Sequence, residues 1–173
     1  MDTPAESMLT DFIRYNNWAN AQVLAACEQL TPEQQRASAP GSYGSIHATL
    51  GHLIDAEADY VGRLTGNPPQ PPFRWDDPPS VSDLAAFAPA VASALLDAVQ
   101  RVPPHHIVHE EENGLFADYQ ARVLFIQVIN HGIEHRTNIT TILSSLGLEA
   151  PEVDGWAYTW AHPDEFQIQE GSL

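Results

Sequence analysis

The stretch Gln120–Gly147, QARVLFIQVINHGIEHRTNITTILSSLG, decides how the chain folds. Leu124, Val128, His131, His135, Ile139, Ile142 and Leu146 recur every three or four positions and so share one face of a helix. Gly147 gives that helix its stop. Apart from the two histidines the face is apolar throughout, so both imidazoles are expected to point into a core. Residues four apart stand one turn apart on the same side. Two buried imidazoles need partners. A divalent metal satisfies both by taking a neutral nitrogen from each. The alternative is hydrogen bonding within the core, for example to Asn16 or Asn130.

Working outward, three more segments have helical periodicity. Ser7 to Leu30 repeats Leu9, Phe12, Ile13, Asn16, Ala19, Val23, Ala26, Cys27 and Leu30 at that spacing. A helix from Ser42 or Ser45 to Gly66 places Ile46, Leu50, Leu53, Ile54, Glu57, Val61 and Leu64 on one side. Ser80 or Ser82 to Arg101 holds Leu84, Phe87, Val91, Leu95 and Val99, with Pro89 inside it expected to kink or shorten it. Thr31-Pro32-Glu33-Gln34 reads as the capping box of a short extra piece. Gly66 to Ser80 holds six of the 14 prolines and reads as a semi-rigid connector. Ile107-Val108 and Leu115-Phe116 flank Glu-Glu-Glu-Asn-Gly, a weak hairpin signal. After Gly147 an irregular aromatic tail is expected. The reading is an all-α four-helix bundle in one domain, residues 1–173, with any site built in its core.

Composition removes several functions. The 173 residues include seven arginines, no lysine and 23 acidic side chains, for a formal charge of -16. Without lysine there is no Schiff base and no phosphate-loop lysine. The acidic balance argues against nucleic acid and against anionic membranes. No run of roughly 18 apolar residues is expected, since Leu84 to Val99 is interrupted by Pro89, Ser93 and Asp97. The N-terminus lacks the basic start and apolar run of a signal peptide. A soluble, cytoplasmic chain is the expectation.

His52 is the best third ligand, at the edge of the apolar stripe of its helix. His47 is the poorer choice, about 140° round that helix from His52. Three histidines leave coordination positions open, the catalytic arrangement. His131-Gly132-Ile133-Glu134-His135 also matches the H-x-x-E-H metalloprotease motif, with Glu134 as general base. The chain lacks strands for binding a peptide by edge addition, which makes this the weaker reading. His105, His106 and His109 beside Glu110 to Glu112 read as a solvated loop, His162 has no assignable role, and Cys27 reads as a buried, inert thiol.

Four pieces in order resemble the DinB/YfiT-like metal-dependent hydrolase superfamily. They are Tyr15, Trp18, Ala19 and Asn20; LGHLIDAE at 50–57; NHGIEHR at 130–136; and LGLEAPEVDGWAY at 146–158. The resemblance implies an up-down-down-up four-helix bundle and one divalent ion, commonly nickel or zinc, on His52, His131 and His135. It implies frequent homodimers and, in better-understood relatives, transferases or isomerases using mycothiol, bacillithiol or glutathione. One departure stands out: where the family often has Arg-Gly-Gln after the last ligand, this chain has Arg136-Thr137-Asn138. The leading expectation is a metal-dependent thiol transferase or hydrolase acting on a small molecule. Arg136 would pair with the carboxylate of a low-molecular-weight thiol or form a surface salt bridge, and Glu134 would be the base of a hydrolase. The alternative is a non-enzymatic, metal-binding stress-response bundle.

Overall fold

The computed structural model describes residues 4–75, 78–112 and 114–166. The chain order is α1 (Pro4–Glu28), α2 (Pro32–Gln35), α3 (Ile46–Thr65), α4 (Val81–Arg101), β1 (Ile107–Glu112), β2 (Leu115–Gln120), α5 (Arg122–Ser145) and α6 (Gly155–Ala161). The fold is therefore mostly helical with a small antiparallel hairpin, not purely helical.

Local chemistry sets the helix ends. Thr31 accepts from the Gln34 N–H while Gln34 accepts from the Thr31 N–H, the reciprocal box anticipated for α2. Ser45 caps α3 by accepting from the Ala48 N–H at 3.1 Å. Gly66 ends it in the left-handed region at φ 73°, which a side chain would disfavour. Ser80 and Asp83 form a second box at the start of α4. Pro89 does not shorten α4. It lies on the exposed side, where water can take the carbonyl freed one turn earlier.

Two expectations need correction. By length and composition α4 is apolar enough to cross a membrane, although its apolar side (Leu84, Phe87, Val91, Leu95, Ala98) is buried within the fold, as in any core helix. The aromatic tail is also not wholly irregular, since Asp154 caps the seven-residue helix α6 through the Ala157 N–H at 2.8 Å. Glu112 pairs with Leu115 in the hairpin. Asn113 of the anticipated turn lies outside the described residues, as do Met1 to Thr3.

Each of α1 and α3 packs against both α4 and α5, and α6 lies on α1. The core between them is Ile13, Val23, Leu50, Ile54, Leu84, Leu95, Val128, Ile139 and their neighbours. Burying such side chains contributes roughly 1.5–3 kcal/mol each. The hairpin rests on α3 and α5, where Arg63 pairs with Glu110 and the Tyr119 hydroxyl donates to the same carboxylate. The connector is fastened at its end by His47, whose Nε2 donates to the Pro79 carbonyl at 2.6 Å. That contact turns Nε2 of His47 towards the connector.

Candidate metal centre

His131 and His135 come from one face of α5 and are 7% and 4% exposed. His52 comes from α3, which packs against that face. Their candidate ligand atoms all lie within 4.8 Å of one another. His52 Nε2 and His131 Nε2 are 3.0 Å apart. Two nitrogens sharing one tetrahedral or octahedral ion at about 2.1 Å stand about 3.0–3.4 Å apart. The ring centroids are 4.2 Å apart for His131 and His135, 4.8 Å for His52 and His135, and 4.9 Å for His52 and His131. The three rings that the sequence singled out are thus brought together from residues 79 apart.

As a hydrogen-bonded core cluster this arrangement is poorly satisfied. Nδ1 of His131 and Nδ1 of His135 are buried with no partner among the described residues. His52 has its ring bond with His131. Burial, then the neighbouring His135 and His52, lowers His131 to about 4. Burial and His52 lower His135 as well. Both rings are therefore held neutral at physiological pH, the state that ligates. Three converging imidazoles fit a divalent transition metal.

Next in sequence to His135 on α5, Arg136 belongs to a buried polar chain that sequence reasoning did not assemble. Arg136 is 2% exposed, and its Nη1 donates to Asn16 Oδ1 at 2.7 Å and to Asn20 Oδ1 at 2.6 Å. The Nδ2 groups of both asparagines donate to Glu57 Oε1, at 2.8 and 2.9 Å. Burial pushes the Glu57 carboxyl up, while those two donors and the Arg136 charge pull it back. The chain of bonds ties α1, α3 and α5 together. Gly132 makes room for it: a Cβ there would stand 2.3 Å from Asn16 Oδ1 and 2.7 Å from Arg136 Nη1. The signals were present in Asn16 and Asn20 one turn apart, and in Glu57 on an apolar stripe.

Two expectations change accordingly. Arg136 forms no surface salt bridge: it is buried, and its Nη2 has no hydrogen-bond partner among the described residues. Asn16 serves Arg136 and Glu57 and not a histidine. Glu134 is on the exposed side of α5, outside the cluster, although its charge still favours protonation of His135. His109 pairs with Asp118 on the exposed hairpin at 2.8 Å, and His162 bonds the Tyr158 carbonyl at 2.8 Å. Cys27 is fully buried, and burial pushes its thiol up to about 12, so it is inert as a nucleophile. Tyr43, which no sequence signal pointed to, lies against His52 and His135.

The model of the DinB family matches residues 1–170. The chain belongs to the DinB family. The crystal structure of a DinB-like protein from Bacillus cereus ATCC 10987 matches with a TM-score of 0.60 at 19% identity, over 83% of this chain and 95% of that one. At that identity the likeness is one of fold. No curated protein matches the chain. Within a DinB fold, then, the three histidines form the candidate metal centre, and the Glu57–Arg136 chain is a separate buried network that shares α3 and α5 with it.

Proposed function

We propose that this DinB protein binds one nickel or zinc ion through His52, His131 and His135 and acts as a thiol transferase or hydrolase on a small molecule. The observation behind this reading is the convergence of three imidazoles within 4.8 Å. A divalent ion bound there supplies a local positive charge that lowers the pKa of a thiol or water coordinated to it. His131 and His135 contribute neutral donors at fixed positions on one helix, which leaves the charge of the ion undiminished. Cys27 is buried and has its proton held firmly, so the thiol comes from a low-molecular-weight cofactor. Glu134, exposed beside His135, is the side chain available as base if water is the nucleophile. We read the four long helices as an up-down-down-up bundle, a reading supported by the packing of α1 and α3 each on α4 and α5. The cytoplasm is the compartment proposed.

The test is turnover of an electrophilic substrate by nickel- or zinc-loaded protein, with and without a small thiol. Dependence on thiol, abolished by His131→Ala, is expected. Equal turnover without thiol moves the assignment to a hydrolase. No turnover of either kind favours the non-enzymatic metal-binding bundle.

The proposed assembly is a homodimer through the α1–α5 face. Met8 and Phe12 on α1, and Ile126 and Ile133 on α5, are all exposed and border a groove of about 470 Å³. Contiguous exposed apolar surface of this kind is characteristic of an interface. With a formal charge of -16 on each chain, association should tighten as salt screens the repulsion. Light scattering is expected to give about twice 19.0 kDa, and Ile126→Glu to give a single chain. A single-chain mass for the unaltered protein at every salt concentration would refute the dimer.

A further inference from the structure

We infer that Tyr43 is a positioning residue of the metal centre, its ring fixing the plane of His52 and covering His52 and His135. This rests on the three-histidine reading. Tyr43 stacks on His52 with centroids 4.3 Å apart and planes 10° from parallel, and meets His135 edge-on at 5.2 Å. The residue is 57% exposed, so one face of its ring covers histidines and the other meets solvent. His52 is less buried than its two partners, and its ring bond is to His131, another of the three. That bond gives way once both nitrogens turn to a shared ion. What then sets the rotation of His52 about its Cβ–Cγ axis is the stacked ring of Tyr43.

The tyrosine is itself held. The Ser42 hydroxyl lies 2.8 Å from the Ala39 carbonyl and 2.9 Å from the Gly44 carbonyl, closing the loop on itself. Gly41 turns it through the left-handed region at φ 84°. The Tyr43 N–H then donates to Asn138 Oδ1 at 2.7 Å, and Asn138 Nδ2 donates to the Glu134 carbonyl at 2.8 Å. The loop is thereby tied to the turn of α5 that bears His135. Asn138 thus sets how far Tyr43 stands from His135. Outer partners that orient a ligating histidine govern affinity as well as geometry.

The experiment compares the unaltered protein with Tyr43→Phe and Tyr43→Ala. In the metal-free state, NMR is expected to place the His52 ring protons upfield under the tyrosine ring current. Tyr43→Phe should keep that shift and Tyr43→Ala should lose it. Cobalt(II) affinity, measured by chelator competition, should fall roughly 2- to 10-fold in Tyr43→Ala, the equivalent of one aromatic pair, with altered visible bands and no change in Tyr43→Phe. Melting of the metal-free variants should match the unaltered protein, because the ring is exposed. Unchanged His52 resonances in Tyr43→Ala, or unchanged cobalt affinity and bands, would overturn the inference. Absence of cobalt binding by the unaltered protein would instead overturn the metal reading, and the metal-free NMR comparison separates the two.

Discussion

Metal loading is expected to raise the melting temperature at pH 8 by roughly 5–10 °C, and His131→Ala is expected to remove that rise entirely. An ion present at one hundred times its dissociation constant adds about 2.7 kcal/mol to a folded state that alone holds the site. A domain of this length moves about 2–4 °C per kcal/mol. The gain shrinks as pH falls, because protons compete for the same nitrogens. The metal-free protein has its own pH dependence. His131 titrates at about 4 when folded and near an ordinary 6.5 when unfolded. Between those values the unfolded chain holds a proton that the folded chain refuses, so unfolding is favoured as pH drops. Stability in chelator should therefore be full above about pH 6.5 and be lost progressively towards about pH 4. His135, lowered in the same direction, adds to the loss. Scanning fluorimetry from about pH 8 to about pH 4, with and without chelator, measures both effects. Superimposed curves at pH 8, with metal removal checked by elemental analysis, would contradict the coupling.

The second large effect concerns the buried Glu57–Arg136 network. Glu57→Ala takes away the carboxylate nearest the buried Arg136 guanidinium, leaving it two amide oxygens and the Tyr15 ring, and the loss of a buried countercharge typically costs about 3–5 kcal/mol. Gly132→Ala should destabilise for a related reason, since its new methyl group would displace Asn16 and Arg136. The sign is informative. Replacing a mid-helix glycine by alanine normally stabilises by about 1 kcal/mol. Gly51→Ala on α3, where nothing lies within 4 Å of the added carbon, should show that ordinary gain. Urea denaturation of the three variants reads all three signs. A Gly132→Ala protein as stable as Gly51→Ala would mean that the packing around Asn16 is looser than described.

Some of this is legible in the sequence, and the rest is hidden for physical reasons. His131 and His135 are readable because a helix repeats every 3.6 residues and two polar side chains interrupt an otherwise apolar row. His52 is readable from its place at the edge of an amphipathic stripe. Helix α6 escapes notice because seven residues give too little periodicity, although Asp154 before Gly155 is a start signal. Glu57 passes as one more position on an apolar face, because its partners come from α1 and no spacing within α3 reveals them. Arg136 is expected to meet a cofactor carboxylate or a surface acid, since no partner within the core is visible in the sequence. Burial becomes tolerable because α1 supplies two asparagines and the Tyr15 ring to it and α3 a carboxylate behind them. Tyr43 is the least visible. It stands in a loop of glycine, proline and serine, and its contact with His52 exists only once Asn138 has drawn the loop onto α5.

X-ray absorption on nickel- or zinc-loaded protein tests the three-histidine centre most directly. The expected result is one ion per chain with imidazole scattering from three rings and nitrogen distances of about 2.0–2.2 Å, reduced to two rings in His52→Ala. A loaded protein with sulfur among its ligands, or an imidazole count that His52→Ala leaves unchanged, would contradict it.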